Sequence, residues 1–118
     1  MPPRSDPRKH LPLTPRVYHV LLALADGPLH GYGVILAVQA LTDGVIVLRT
    51  GTLYILLRRL VDQALIEESD DRPAPDDDDE RRRYYTLTPL GRDVLEAESI
   101  RLQSVVAAAR SKLGFKRS

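Results

Sequence analysis

The chain has 118 residues, 43% of them apolar, and a net charge of +1, which fits one small domain or one domain with a helical appendage. It contains no cysteine, which excludes disulfides, zinc–thiolate sites and cysteine nucleophiles. The polar opening from Met1 to His10 lacks the apolar stretch of a signal peptide, and no apolar run approaches the roughly 20 residues that cross a bilayer, so a cytoplasmic protein without membrane contact is expected.

A charge near zero argues weakly against a polyanionic partner, but its distribution says more. Residues 1–60 carry Arg4, Arg8, Lys9, Arg16, Arg49, Arg58 and Arg59 against Asp6, Asp26 and Asp43. Residues 61–80 are strongly acidic, with Arg72 the only cation. Steering towards phosphates depends on such local fields rather than on the sum.

In chain order, residues 1–12 hold four prolines and no periodicity, and are expected to be a disordered basic arm with a capacity to touch phosphates through Arg4, Arg8 and Lys9, joined by Arg16 just beyond it. A first helix starts at the N-cap Thr14 with Pro15 in the first position. Val17, Val20, Leu21 and Leu24 recur at helical spacing until Asp26-Gly27-Pro28 stops the run. A second helix spans about Gly31 to Leu41, with Val34, Ile35, Val38 and Leu41 as its core stripe. Val45 to Leu48 either pairs as a minor strand or packs in.

A third helix follows, with Thr50 read as its N-cap and Leu53, Leu56, Leu57, Leu60 and Val61 as its core face. Its other face offers Thr52, Tyr54, Arg58 and Arg59. Leu65 to Glu68 reads as a strand and Tyr84 to Leu87 as its partner. The connection between them is long and acidic around Asp76 to Glu80, with Arg81, Arg82 and Arg83 on its return side. The acidic run lacks the spaced ligands and glycine of a calcium loop, so no metal or cofactor is expected. A last helix begins at the cap Thr88 and Pro89, and ends near Leu113 with Gly114 as C-cap.

This order of elements is that of a mainly α fold: a winged helix-turn-helix DNA-binding domain over residues 13–88, with a two-stranded wing, and a C-terminal dimerisation helix and tail over 89–118. The N-terminal part of the second helix of such a motif meets base edges, which assigns DNA contact to Arg49, Thr50, Gly51, Thr52, Tyr54, Arg58 and Arg59. Arg81, Arg82 and Arg83 would add phosphate contacts from the wing. The last helix carries a stripe of Leu95, Leu102, Val105, Val106, Ala109 and Leu113, whose expected cover is a second copy in a two-fold dimer. Two recognition helices suit an inverted repeat with half-sites about one DNA turn apart.

The motifs resemble the PadR family of bacterial transcriptional regulators, in its short form with a single C-terminal helix. The resemblance rests on Leu29-His30-Gly31-Tyr32-Gly33, Gly51-Thr52-Leu53-Tyr54, Leu57-Arg58-Arg59-Leu60, Leu65-Ile66, and Arg83-Tyr84-Tyr85 running into Leu87-Thr88-Pro89-Leu90-Gly91-Arg92. It implies a homodimeric repressor of double-stranded DNA, released by a small-molecule effector or a stress signal, with Tyr54 at the DNA surface. Ile55 departs from the family's usual proline, Ala64 from its usual glycine, and the chain has no tryptophan.

Two rival readings come from other classes. A winged-helix protein-interaction module without sequence-specific DNA binding would be favoured by the acidic loop. An enzyme would need a nucleophile and a carboxylate near His10, His19 or His30, and none stands at a recognisable spacing. His30 is instead expected to help start the second helix.

Overall fold

Thr14 accepts the Val17 N–H at 3.2 Å, and Pro15 opens helix α1 (Pro15–Ala23). Fixing the backbone of Pro15 in advance and satisfying one orphan N–H makes this a firm helix start. The computed structural model of the protein describes residues 6–69 and 83–115. After α1 a 3₁₀ turn, Leu24–Asp26, leads to the short strand β1 (Leu29–His30). Helix α2 (Gly31–Leu41) is capped by His30, whose Nδ1 accepts the Gly33 N–H at 3.1 Å. Helix α3 (Thr50–Asp62), strands β2 (Ile66–Ser69) and β3 (Tyr84–Leu87), and helix α4 (Pro89–Leu113) complete the order.

The sheet has three antiparallel strands in the order β1-β3-β2, with Leu29 opposite Tyr85 and Ile66 opposite Leu87. The expected wing had two strands. The third escaped the sequence because Leu29–His30 is only a two-residue stretch between Pro28 and Gly31, too short to show alternation. Val45 to Leu48 forms no strand; Leu48 is buried in the core while Val45 and Val47 stay exposed.

Val20, Leu21 and Leu24 pack with Val34 and Val38 of α2, Leu53, Leu57 and Leu60 of α3, and Ile66, Tyr85 and Val94. Each fully buried leucine of this set stabilises the fold by about 2 kcal/mol of transfer energy. Two residues of the expected α3 core face lie further out: Leu56 is only partly buried and Val61 is exposed. The helix also starts one residue earlier than expected. Arg49 holds the N-cap position and Thr50 is already helical, so the Thr50 hydroxyl caps nothing.

Within the proline-rich stretch expected to be disordered, the described residues 6–12 have a defined structure. Asp6 accepts the Arg8 N–H at 3.0 Å and caps a 3₁₀ turn over Pro7–His10, which packs along α4. Leu11 and Leu13 supply the apolar burial that holds it there. Glu98 of α4, only 1% exposed, accepts the Leu13 N–H at 2.7 Å.

Helix α4 is seated by its first turn. The Thr88 hydroxyl accepts the Gly91 N–H at 2.9 Å and donates to the Ala64 carbonyl at 2.6 Å, while the Thr88 N–H reaches the Leu65 carbonyl at 3.2 Å. Gly91 lies so close to this corner that a Cβ there would stand 1.9 Å from the Leu65 carbonyl oxygen. The corner itself is the end of α3. Leu65 N–H bonds the Leu60 carbonyl at 3.0 Å, and Ala64 takes the left-handed φ of 61° that this wrap requires. Gly114 closes the far end of α4 in the same left-handed region.

Two substitutions test this corner from opposite sides. Gly91→Ala drives a methyl into backbone and should lower unfolding free energy by about 3 kcal/mol or more in urea denaturation. Ala64→Gly relieves the left-handed strain and should raise it by about 1 kcal/mol in the same measurement.

Candidate nucleic-acid interface

Helix α3 buries Leu53, Leu57 and Leu60, so its opposite face is left to solvent. That face carries Gly51, Thr52, Tyr54, Ile55, Arg58 and Arg59, all exposed. Other helices of the domain have side-chain caps, from Thr14, His30 and Thr88, but none closes the start of α3. Its first N–H groups therefore point outward with the positive end of the helix dipole, an arrangement that suits a phosphate oxygen.

Tyr54 is 50% exposed and its hydroxyl end rests on α2, 2.8 Å from where a Cβ of Gly31 would stand. The absent side chain at Gly31 is what seats this ring. The two glycine motifs that open α2 and α3 are thus halves of one contact. His30 meets Tyr84 of β3 edge to face at 5.4 Å between ring centres, tying the same corner to the wing.

Two grooves flank α3. One, of about 510 Å³, lies between α3 and the sheet and is lined by Tyr54, Arg58 and Asp62 together with Glu68, Arg83 and Tyr85. The other, of about 520 Å³, lies between α3 and the N-terminal segment, with Thr52 and Arg59 facing Lys9, His10 and Arg16. The expected DNA residues are therefore split by the helix axis: Tyr54 and Arg58 join Arg83 on the wing side, whereas Thr52 and Arg59 join the N-terminal cations. Arg49, Thr50 and Gly51 sit at the helix start between them. Arg81, Arg82 and the acidic run Asp76 to Glu80 lie outside the described residues.

Arg83 is paired with Glu68 across the two wing strands at 3.3 Å, both largely exposed. An exposed pair of this kind is worth under about 1 kcal/mol, so Arg83 can exchange its carboxylate for a phosphate at small cost. Arg8 is similarly held by Asp6 at 3.1 Å. Arg49, Arg58 and Arg59 form no ion pair with another described residue. Burial pushes the Tyr85 phenol up, and the neighbouring Glu68 carboxylate adds to it, so the groove wall keeps a neutral hydroxyl. Glu68 and Tyr85 are groove residues that sequence reasoning misses, because strand partners 15 or more residues apart are joined only by the sheet register.

On α4 the expected interface stripe divides in two. Leu95 belongs to the domain's own core at 7% exposure, packed with Val94, and is not available to a partner. Beyond Glu98 the same helix face runs past the end of the domain. Val105, Val106 and Leu113 are exposed there, with Leu102 and Ala109 partly so.

The histidines have structural surroundings: His30 caps α2, and the His19 ring nitrogen Nδ1 lies 2.7 Å from the Pro15 carbonyl of its own helix. Among the described residues, no helix is long and apolar enough to cross a membrane.

The model of the transcriptional regulator PadR-like family matches residues 20–97. The chain belongs to that family. Members of this family are transcriptional regulators, and the solved neighbours share its winged helix. A protein encoded in a Streptomyces fradiae transposon is 40% identical over 80 residues, and the chain spans about a fifth of its length, the match covering 68% of the chain and 21% of that protein. A PadR family transcription regulator from Clostridium difficile superposes with a TM-score of 0.67 at 24% identity, over 85% of this chain and 99% of that one. Bacillus subtilis PadR, solved in complex with operator DNA, gives 0.59 at 22% identity, over 73% and 46% of the two chains. At these identities the structural likeness is one of fold: the PadR winged helix.

The PadR-like domain keeps its N-terminal segment beside α3 through Glu98. Arg101 binds this carboxylate through two guanidinium nitrogens, and that hydrogen bonding, helped by the Leu13 N–H, holds it below its ordinary value of 4.5 against the opposing effect of burial. A lowered folded value means the stabilisation is complete above pH 4.5 and lost as pH falls through the lowered value. Glu98→Gln should flatten the acid limb of a thermal-stability profile below that pH. Glu98→Ala, which strands the Leu13 N–H, should cost about 1–2 kcal/mol at neutral pH.

Proposed function

We propose that this PadR-like regulator is a repressor that binds an inverted-repeat operator as a homodimer. The observation that carries the reading is the convergence of Tyr54 and Arg58 from α3 with Arg83 from the wing on one groove. A duplex whose major groove receives α3 brings its backbone to both sides of the helix, where Arg83 and Arg59 supply positive charge. Thr52, Tyr54 and Arg58 are within reach of base edges, and Arg49 and the uncapped helix start suit a flanking phosphate. Gly51 allows the backbone to come close.

Dimerisation is supported by the outer half of α4. Leu102, Val105, Val106, Ala109 and Leu113 continue a helix face whose inner half is core, and a second copy related by a two-fold axis covers both stripes at once. Membership of the family supports release by a small-molecule effector as part of the same reading. Phe115, the aromatic nearest that stripe, lies beyond the helix end with the Arg110 guanidinium 5.8 Å from its ring centre.

A duplex selected from a random pool should be an inverted repeat bound in the nanomolar range, with affinity falling steeply as salt rises. Arg58→Ala should weaken it about tenfold, with an unchanged melting temperature. Equal affinity for the selected and a scrambled duplex would reject the specific reading, and a monomer in sedimentation would reject the dimer.

A further inference from the structure

Ile55 is 67% exposed on the second turn of α3, in the middle of the face that Thr52, Tyr54, Arg58 and Arg59 otherwise make polar. It borders both grooves, the one towards the wing and the one towards the N-terminal segment. Helical side chains lean over the turn that precedes them, and the residue one turn back is Gly51. A Cβ at Gly51 would meet nothing within 4 Å. The isoleucine therefore projects freely, and its branched Cβ restricts it to few rotamers.

Its setting identifies what can cover it. The groove towards the N-terminal segment gathers Lys9, Arg16 and Arg59 with no acid among its lining residues, while Arg58 and Arg83 stand beside Asp62 and Glu68 on the wing side, and this excess of cations complements a polyanion rather than an apolar protein surface. On the floor of a DNA major groove every base edge is polar except one group, the 5-methyl of thymine. Resting on the DNA-binding reading above, we propose that Ile55 is a specificity-determining residue that recognises a thymine methyl at a fixed position in each half-site.

The test uses the full chain and the duplex selected from a random pool, with thymines replaced singly by deoxyuridine, which removes the methyl and keeps every hydrogen-bonding group. Fluorescence anisotropy should show about a fourfold loss of affinity at one thymine per half-site, the worth of one buried methyl. Ile55→Ala should weaken binding to the unmodified duplex, melt at the wild-type temperature, and no longer distinguish thymine from uracil there. Arg58→Ala should bind more weakly but keep the distinction. A wild-type protein indifferent to every replacement, a selected half-site without thymine, or a penalty that persists in Ile55→Ala overturns the assignment while leaving DNA binding standing. Failure to bind any duplex overturns the DNA-binding reading itself, and this assignment with it.

Discussion

The fold turns on the contact between the start of α4 and the corner that ends α3. Thr88 and Gly91 close on the carbonyls of Ala64 and Leu65, so one point fixes where α3 stops, where β2 begins and in which direction α4 leaves. Only a residue without a Cβ fits at 91, because the opposing atom is a backbone carbonyl that has no rotamer to escape into. Ala64 holds the same corner in a left-handed conformation that disfavours any side chain. The geometry is retained although the residue is not the one best suited to it, since the 6→1 bond from Leu65 and burial of Leu60 and Leu65 outweigh a cost of about 1 kcal/mol.

From that corner, α3 presents one face and two flanks. The ring of Tyr54 lies over Gly31, so the orientation of α3 is set by its contact with α2 as well as by its buried leucines. Charge follows the same division. Each flank gathers cations from a distant part of the chain, Arg83 from the wing, and Lys9 from the N-terminal segment with Arg16 from the start of α1. A chain with a net charge of only +1 can thus show a locally positive surface on one flank, where Lys9, Arg16 and Arg59 meet no acid among the lining residues, whereas Asp62 and Glu68 offset Arg58 and Arg83 on the wing side.

Helix α4 shows how one periodic stripe can serve two environments. Its apolar face is continuous from Gly91 to Leu113, but the domain is wide enough to cover only the first part. Leu95 ends in the core and Leu113 in solvent. Glu98 marks the change, as a buried carboxylate held by Leu13 and Arg101.

Much was legible from local signals. Thr14-Pro15 and Thr88-Pro89 announced helix starts because capping and a preset φ act within a few residues. Tyr84–Leu87 reads as a strand from its aromatic and β-branched residues, and the order of motifs identified the winged helix. Local signals also misled where two neighbours compete for one role, as when Arg49 rather than Thr50 took the cap position of α3. The sequence by itself determined the helices, the wing and the polar face of α3, since these depend on periodicity and short-range hydrogen bonding. Only the tertiary structure decided that Leu29–His30 is a third strand, that residues 6–12 are ordered against α4, that Leu95 is core, and that Thr52 and Tyr54 belong to different grooves. Each of those outcomes depends on contacts between residues far apart in the chain, and such contacts leave no period in the sequence.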